Sequence, residues 1–153
     1  MTILLGTDHA GYELKEMLKT FLEEEGFEVD DKGALTHDEL DDYPDFIASA
    51  AQAVSRDPEN VRAIILGGSG QGEAMIANRF PHVRATVYYG GPREIITLSR
   101  EHNNANILSL GARFLSEDEA KEVVMQWLNT DFPGDERHVR RIEKIDMYSQ
   151  KEQ

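Results

Sequence analysis

Short apolar runs alternate with stretches of helical periodicity from one end of the chain to the other. The segments with the character of strands are ILLG at 3–6, FEVDDKG at 27–33, AIILG at 63–67, RATVYY at 84–89 and NILSLG at 106–111. Between them, apolar residues recur at three- and four-residue spacing, which is typical of helices that bury one face. The alternation predicts an α/β fold, a three-layer Rossmann-like sandwich in which helices cover both faces of a five-stranded parallel sheet.

Cap and stop signals place the ends of several helices. Gly26 follows the apolar stripe of the first helix, and Pro44 suits the first turn of the second. Ser116 and Glu119 have the spacing of a capping box. Further helices are predicted at about 74–80, 92–102 and 136–148. The last follows a strand that already has a covering helix, so it is an extra C-terminal helix able to pack on a partner. Because no linker or repeat interrupts the chain, residues 1–153 are predicted to form a single domain.

The composition excludes several classes of protein. A net charge of -13 argues against binding of nucleic acid or an anionic membrane surface, although focused arginines can still hold a small phosphate. The chain has no cysteine, which rules out disulfides, thiolate metal sites and cysteine nucleophiles. It begins without a basic, apolar signal sequence, and no stretch has the length of a membrane span. We therefore expect a soluble, cytoplasmic protein.

The segment GGSGQGE at 67–73 follows the third predicted strand and is the densest glycine loop in the chain. Glycines let backbone N–H groups approach an anionic oxygen, and the helix that follows adds a favourable potential. The loop lacks the lysine of a P-loop, and Glu73 stands where a dinucleotide fingerprint needs a third small residue. Two interpretations stay open: a tight turn that requires glycine, or a cradle for an oxyanion that is not a nucleotide.

Glu73 suggests which chemistry such a cradle would serve. A carboxylate beside N–H donors can remove a proton from carbon while the donors stabilise the resulting oxyanion. The helix N-terminus lowers the pKa of this carboxyl group, whereas burial raises it, and the sequence does not decide between them. Glutamate is also common in a first helical turn for stability alone.

Other polar groups follow the ends of the predicted strands, where parallel sheets bind ligands. Asp8 and His9 come after the first strand and Arg113 after the fifth. His102 and Asn103, in REHNNAN, lie where a helix returns toward the fifth strand, so topology alone does not bring them to this edge. Arg137 and Arg141 share one face of the last helix and could clamp a phosphate dianion.

The remaining histidines carry less information. His37 and His82 fall in predicted loops and are expected to be exposed, and His138 is expected to be structural. No pair of histidines has the spacing of a zinc helix motif, so no metal site is predicted.

Six motifs taken together resemble a known family. DHAGYELK, DYPDF, GGSGQGE, REHNNAN, LGAR and RHVRRI occur in the order and spacing of the type B ribose-5-phosphate isomerases, from Thr2 to about Tyr148. That family also includes allose-6-phosphate and galactose-6-phosphate isomerases. The resemblance implies an aldose–ketose isomerase that works through a cis-enediolate without metal or cofactor, acts on a small phosphorylated sugar, and forms a homodimer with active sites shared between subunits.

The resemblance also implies roles for individual residues. Glu73 would move the proton between carbons 1 and 2, and His102 would help to open the furanose ring. Asp8 would contact sugar hydroxyls. The groups that would bind the enediolate oxygen are Ser69, Asn103 and the N–H groups of Gly68, Gly70, Gln71 and Gly72. Those that would bind the phosphate are His9, Arg113, Arg137 and Arg141, with the last-helix arginines reaching across from the partner.

One departure from the family pattern concerns the base. Many members carry a cysteine base at the first position of the loop, which is Gly67 here, so this chain is similar to the branch that uses a glutamate instead. Three functions remain in competition: isomerisation of ribose 5-phosphate and ribulose 5-phosphate in the pentose phosphate pathway, the same chemistry on an allose or galactose 6-phosphate, or a nucleotide- or flavin-binding module. We expect the loop at 90–92 and the segment before Tyr43 to recognise the length of the sugar.

Overall fold

The structure is a computed structural model that describes residues 1–150, so 151–153 of the predicted domain lie outside the described residues. The strands are β1 Thr2–Thr7, β2 Glu28–Asp31, β3 Val61–Gly67, β4 Ala85–Tyr88 and β5 Ile107–Gly111. The helices are α1 Tyr12–Glu24, α2 Tyr43–Arg56, α3 Gln71–Ala77, α4 Glu94–Glu101, α5 Glu117–Leu128 and α6 Glu136–Gln150. A 3₁₀ turn, His9–Gly11, precedes α1.

The five strands form one parallel sheet in the order β2-β1-β3-β5-β4, which confirms the predicted fold class. Successive residues of a strand point to opposite faces, so the sheet supplies two cores. Leu5, Ile64 and Leu108 pack with α1, α4 and α5, around the fully buried Trp127. The other face, which includes Ile65, packs with α2 and α3. The connections from β1 and β3 leave in opposite directions, which creates a crevice between these two strands at the carboxyl edge.

The predicted helix ends have clear local causes. Gly26 has a φ of 89° after α1, and the N–H groups of Gly26 and Phe27 donate to the carbonyls of Glu23 and Leu22, the pattern of a Schellman motif. Pro44 lies in the first turn of α2 as predicted. Gly26 therefore ends α1, and Pro44 stands at the start of α2, at the positions that the sequence predicted.

Only half of the predicted capping box forms at the start of α5. The N–H of Glu119 donates to Ser116 Oγ at 3.1 Å. The Glu119 carboxylate does not turn back to the cap. It accepts a hydrogen bond from the Tyr88 hydroxyl at 3.0 Å, which ties α5 to the end of β4.

Two helix boundaries differ from the prediction. The helix after the glycine loop covers Gln71–Ala77 instead of 74–80, because Gly70, with a φ of 77°, ends the turn one residue before it. The next helix begins at Glu94 instead of 92, after Gly90 and Gly91, which both have positive φ. The earlier start of α3 places Glu73 in its first turn.

The predicted extra C-terminal helix is present as α6 and lies against the amino-terminal edge of the sheet. Val139 and Ile142 line a hollow together with Pro58 and Phe132. His82 Nδ1 lies 3.2 Å from the Asp146 carboxylate, so His82 is partly buried, whereas the sequence predicted an exposed side chain. Within residues 1–150, no helix has both the length and the apolar character needed to cross a membrane.

Candidate active site

The glycine loop is held in place by β5 and the segment after it. The buried hydroxyl of Ser109 donates to the Gly70 carbonyl at 2.7 Å. The N–H groups of Ala112 and Arg113 donate to the carbonyls of Gly67 and Gly68. A Cβ on Gly70 would lie 3.0 Å from the backbone carbon of Leu110, and its φ is 77°. The close approach to β5 and the left-handed conformation therefore both require glycine at position 70.

Glu73 is buried at the N-terminus of α3, with only 4% of its surface exposed. Burial raises the pKa of its carboxyl group, and the negative charge of Asp8 raises it further. The backbone N–H of Glu73 itself acts in the opposite direction. Of the two opposed influences that the sequence left open, burial therefore dominates, and Glu73 is a stronger base than an ordinary glutamate.

The carboxylate of Glu73 lies directly over the α-carbon of Gly67. A Cβ built on Gly67 would lie 2.5 Å from Glu73 Oε2, and nearer still to Oε1 and Cδ. Gly67 is therefore glycine because the acid occupies the space that a side chain would need. For the same reason, a cysteine at position 67 and this placement of the Glu73 carboxylate are sterically incompatible.

The carboxyl edge of the sheet carries an open hollow of about 520 Å³. Its lining combines groups from β1, the start of α2, the glycine loop and the segment after β5: Asp8, His9, Ala10, Tyr43, Gly68, Ser69, Gly72, Glu73, Arg113 and Phe114. Gly70 and Gln71 belong to the same loop, and the N–H of Gln71 donates to Ser69 Oγ at 3.3 Å. The structure thus brings together the predicted acid, the predicted oxyanion cradle and part of the predicted phosphate set.

Asp8 and His9 enter the hollow through the turn that follows β1. Asp8 Oδ1 accepts the N–H of Ala10 at 2.9 Å, which begins the 3₁₀ turn and fixes the Asp8 side chain. His9 Nδ1 lies 2.7 Å from Asp41 Oδ1, and this hydrogen bond raises the pKa of His9. Asp8, His9 and Asp41 each offer an atom within 4.8 Å of the others, a spacing that a cation could bridge. We interpret the cluster as a hydrogen-bonded group, since His9 Nδ1 and Asp41 Oδ1 are paired, although the buried Asp41 Oδ2 has no hydrogen-bond partner among residues 1–150.

The other predicted site residues lie at the opposite edge of the sheet. His102 is the C-cap of α4, and Asn103 lines a hollow with Ala85 and Ala105, where β4 and β5 begin. Gly67 pairs with Gly111 at the far ends of β3 and β5. Five residues of strand span about 13 Å, so one chain does not bring His102 or Asn103 to Glu73.

His102 and the arginines of α6 form a second group at that amino-terminal edge. The His102 ring stacks on the His138 ring, with 4.3 Å between centroids and 16° between planes. His138 is only 3% exposed, and its pKa is lowered by burial first and then by His102, Arg137 and Arg141. His138 therefore has a structural position, as expected: it is buried and its ring packs against the ring of His102. Arg137 and Arg141 are exposed.

Residues that the sequence did not single out complete the hollow. Tyr43 and Phe114 line it, Asp41 holds His9, and Ser109 holds the loop. Tyr43 belongs to the motif DYPDF, and Asp41 belongs to a long acidic connection, so each lay in a conspicuous segment. Ser109 had no such signal beyond being a polar residue inside a core strand.

Comparison with known proteins gives a consistent relationship over nearly the whole chain. A sequence profile described as Ribose/Galactose Isomerase matches residues 3–145. The chain belongs to this family. Among ribose/galactose isomerase relatives, ribose-5-phosphate isomerase B of Mycobacterium tuberculosis strain H37Rv is 40% identical over 148 residues, which is 97% of this chain and 90% of that protein.

Solved structures of ribose/galactose isomerases agree in fold. Ribose-5-phosphate isomerase B from Mycoplasma genitalium, solved with bound ribulose-5-phosphate, has a TM-score of 0.93 and 35% identity, and the alignment covers 98% of this chain and 97% of that one. Ribose-5-phosphate isomerase B of Clostridium thermocellum has a TM-score of 0.92 and 40% identity over all of both chains. Membership of this family leaves the nucleotide- or flavin-binding interpretation without support.

Proposed function

We propose that this protein interconverts ribose 5-phosphate and ribulose 5-phosphate, a reaction of the pentose phosphate pathway, through a cis-enediolate. The observation that carries the proposal is the buried Glu73 carboxylate, with its raised pKa, beside the glycine loop in the open hollow. Relatives named ribose-5-phosphate isomerase B support the choice of substrate. The hexose 6-phosphate alternative shares this chemistry.

In the proposed mechanism, Glu73 moves a proton between two neighbouring carbons of the open-chain sugar. The Glu73 carboxylate removes the proton on carbon 2 of the aldose; the electrons of that bond form the double bond between carbons 1 and 2, and the carbonyl electrons move to the oxygen on carbon 1. The hydroxyl proton on the oxygen of carbon 2 passes to the oxygen of carbon 1, the protonated Glu73 returns its proton to carbon 1, and the ketose results. Ser69 and the N–H groups of the loop stabilise the negative oxygen. Burial favours this cycle because it brings the pKa of the acid closer to that of its substrate.

The phosphate is proposed to lie away from the base, on His9 and Arg113. Both residues line the hollow that contains Glu73. Two negative groups in one small site repel each other, so the distance between the ester and the carboxylate keeps both in their charged forms. Asp8, buried near Glu73, is proposed to bind sugar hydroxyls.

The remaining groups are proposed to come from a second copy of the chain. His102, Asn103, Arg137 and Arg141 do not line the hollow that contains Glu73, although the proposed chemistry uses all four. A homodimer in which α6 and the end of α4 of one subunit face the hollow of the other would complete two equivalent sites. His102 would then assist opening of the furanose ring across the interface.

Subunit exchange tests this arrangement. Glu73→Gln and Arg137→Ala homodimers are each assayed alone and after exchange at a substrate concentration below the KM of the arginine variant. If the sites are shared, an equal mixture recovers about a quarter of the wild-type activity, because about half of the dimers are mixed and each has one intact site. No recovery after verified exchange would place Arg137 in the site of its own subunit.

A panel of substrates tests the chemistry and the sugar together. Ribose 5-phosphate, allose 6-phosphate and galactose 6-phosphate are compared by kcat/KM, with inorganic phosphate as a competitive inhibitor. We expect ribose 5-phosphate to be preferred. Preference for a hexose phosphate would change the proposed substrate but keep the proposed mechanism, whereas absence of turnover on all three would overturn the proposal.

Arg137→Ala should raise KM about 10- to 100-fold and change kcat less, since a hydrogen bond to a charged group contributes ~1.5–3 kcal/mol.

A further inference from the structure

The acidic connection between β2 and α2 ends on a residue that reaches back to His9. Residues 35–40 of this connection are exposed, whereas the Asp41 side chain is only 9% exposed. Asp41 Oδ1 accepts two hydrogen bonds from His9, one from its backbone N–H at 3.0 Å and one from Nδ1 at 2.7 Å. A buried carboxylate that binds both the backbone and the ring of one residue fixes the position of that residue.

The contact between His9 and Asp41 determines where the ring carries its protons. At 2.7 Å from a carboxylate oxygen, Nδ1 must carry a hydrogen, because two facing lone pairs would repel. A neutral ring with its hydrogen on Nδ1 has a bare Nε2, which cannot donate to a phosphate oxygen. Only the doubly protonated ring donates from both nitrogens, one to Asp41 and one outward.

We propose that Asp41 is a positioning residue for phosphate binding, which holds His9 as a cation with Nε2–H available to the phosphate ester of the substrate. This inference rests on the proposed function, and it assigns a role to a residue outside the motif that carries Glu73. Asp41 touches no substrate itself. It acts through His9, which lines the hollow beside Arg113.

The surroundings of His9 are consistent with a cationic ring. Asp8 lies 4.0 Å from Nδ1 and favours the charge, while Arg113 opposes it. The ring of His37 is 6.4 Å away, edge-on, and Glu13 and Glu39 line the adjoining hollow with His9 and Arg113. The raised pKa of His9 has the hydrogen bond that its ring donates to Asp41 as its largest cause, and burial acts in the opposite direction. Removal of the Asp41 charge should therefore lower the pKa of His9 and favour the neutral ring.

The matched pair Asp41→Asn and Asp45→Asn separates this role from a general loss of negative charge. Asp45 is exposed in the first turn of α2 and does not line the hollow that contains Glu73. We expect Asp41→Asn to raise KM for ribose 5-phosphate and Ki for inorganic phosphate about ten-fold, with kcat within about two-fold, and Asp45→Asn to leave all three unchanged. The rise of KM with pH should begin at lower pH in Asp41→Asn than in wild type, and Asp41→Glu should restore part of the lost affinity.

Nitrogen NMR of His9 in the wild-type protein gives a readout independent of turnover. It should show both ring nitrogens protonated at pH 7 with inorganic phosphate bound, and one bare nitrogen in Asp41→Asn. A neutral His9 in wild type, an unchanged Ki in a folded Asp41→Asn, or equal effects of the two asparagine variants would each overturn the inference. If wild type binds phosphate but turns over no sugar, the proposed reaction fails, and the NMR results together with the Kd for inorganic phosphate, measured by direct titration of both proteins, still decide the role of Asp41.

Discussion

The substitution Gly67→Ala displaces the carboxylate of Glu73, the proposed base, without changing its chemistry. The added Cβ would lie 2.5 Å from Glu73 Oε2, whereas ordinary van der Waals contact begins at 3.4 Å. Oε2 of the Glu73 carboxylate must therefore move away from the new Cβ by about 0.9 Å, and Oε1 must move farther. Because a misplacement of ~1 Å can reduce the rate of a reaction about 10²-fold, we expect kcat to fall by about that factor.

The effect of Gly67→Ala on folding should be smaller than its effect on the rate. Overpacking a core position costs ~1–3 kcal/mol, and here the displaced group is the end of a flexible side chain at the edge of a hollow. Gly6→Ala is a suitable control, because Gly6 is a buried glycine of β1 whose new Cβ would meet nothing closer than 3.6 Å. Steady-state kinetics and thermal unfolding of both variants, beside wild type, measure the two effects separately. The control should retain wild-type kcat.

The double variant decides whether Gly67 acts through Glu73. If the alanine slows the enzyme only by moving the carboxylate, then Gly67→Ala should have little further effect in a Glu73→Gln background. A folded Gly67→Ala with near-normal kcat would refute the reasoning, because the base would then tolerate displacement. Additive losses in the double variant would also refute it, since they would show that position 67 affects turnover independently of Glu73.

Three other predictions follow from Glu73 and from the side chains near it. Glu73→Gln should lower kcat by about 10²- to 10⁴-fold with little change in KM, as measured by steady-state kinetics. The pKa of Glu73 is higher in the folded state than in the unfolded state, so the folded state binds the carboxyl proton more tightly. The free energy of unfolding of the wild-type protein should therefore fall as the pH rises from the unfolded pKa through the folded pKa. Melting curves should therefore show Glu73→Gln more stable than wild type above this window and similar below it; a less stable variant at pH 7 contradicts this. Dialysis against a chelator should leave the activity unchanged, and loss of activity restored by a divalent cation would show that Asp8, His9 and Asp41 hold a metal.

The fold could be predicted because the sequence signals it locally. Apolar runs such as AIILG have both faces buried in the sheet, and Gly26, Pro44 and Ser116 act within a few residues of their own positions. The carboxyl edge of the sheet could be predicted for a related reason, since a parallel topology brings the ends of β1, β3 and β5 together. Asp8, the glycine loop and Arg113 were found in this way.

Properties that depend on distant packing could not be predicted from the sequence. Whether burial or the helix N-terminus controls the pKa of Glu73 depends on what surrounds the carboxylate in three dimensions. The prediction that the Glu119 side chain completes the capping box was wrong, because the hydroxyl of Tyr88, 31 residues away in sequence, donates to the Glu119 carboxylate instead. Asp41 was missed because its partner His9 lies 32 residues away and an exposed connection carries no periodic pattern.

The balance of charge around the hollow gives an independent argument for a second subunit. One chain supplies three carboxylates there, on Asp8, Asp41 and Glu73, against the guanidinium of Arg113 and the proposed cation of His9. A site with this excess of negative charge, in a chain of net charge -13, repels a phosphate dianion. Two guanidinium groups from a partner would reverse the local sign, and α6 presents Arg137 and Arg141 exposed at the opposite edge of the fold. On this argument, the proposed base and the arginines proposed to bind the phosphate belong on different chains.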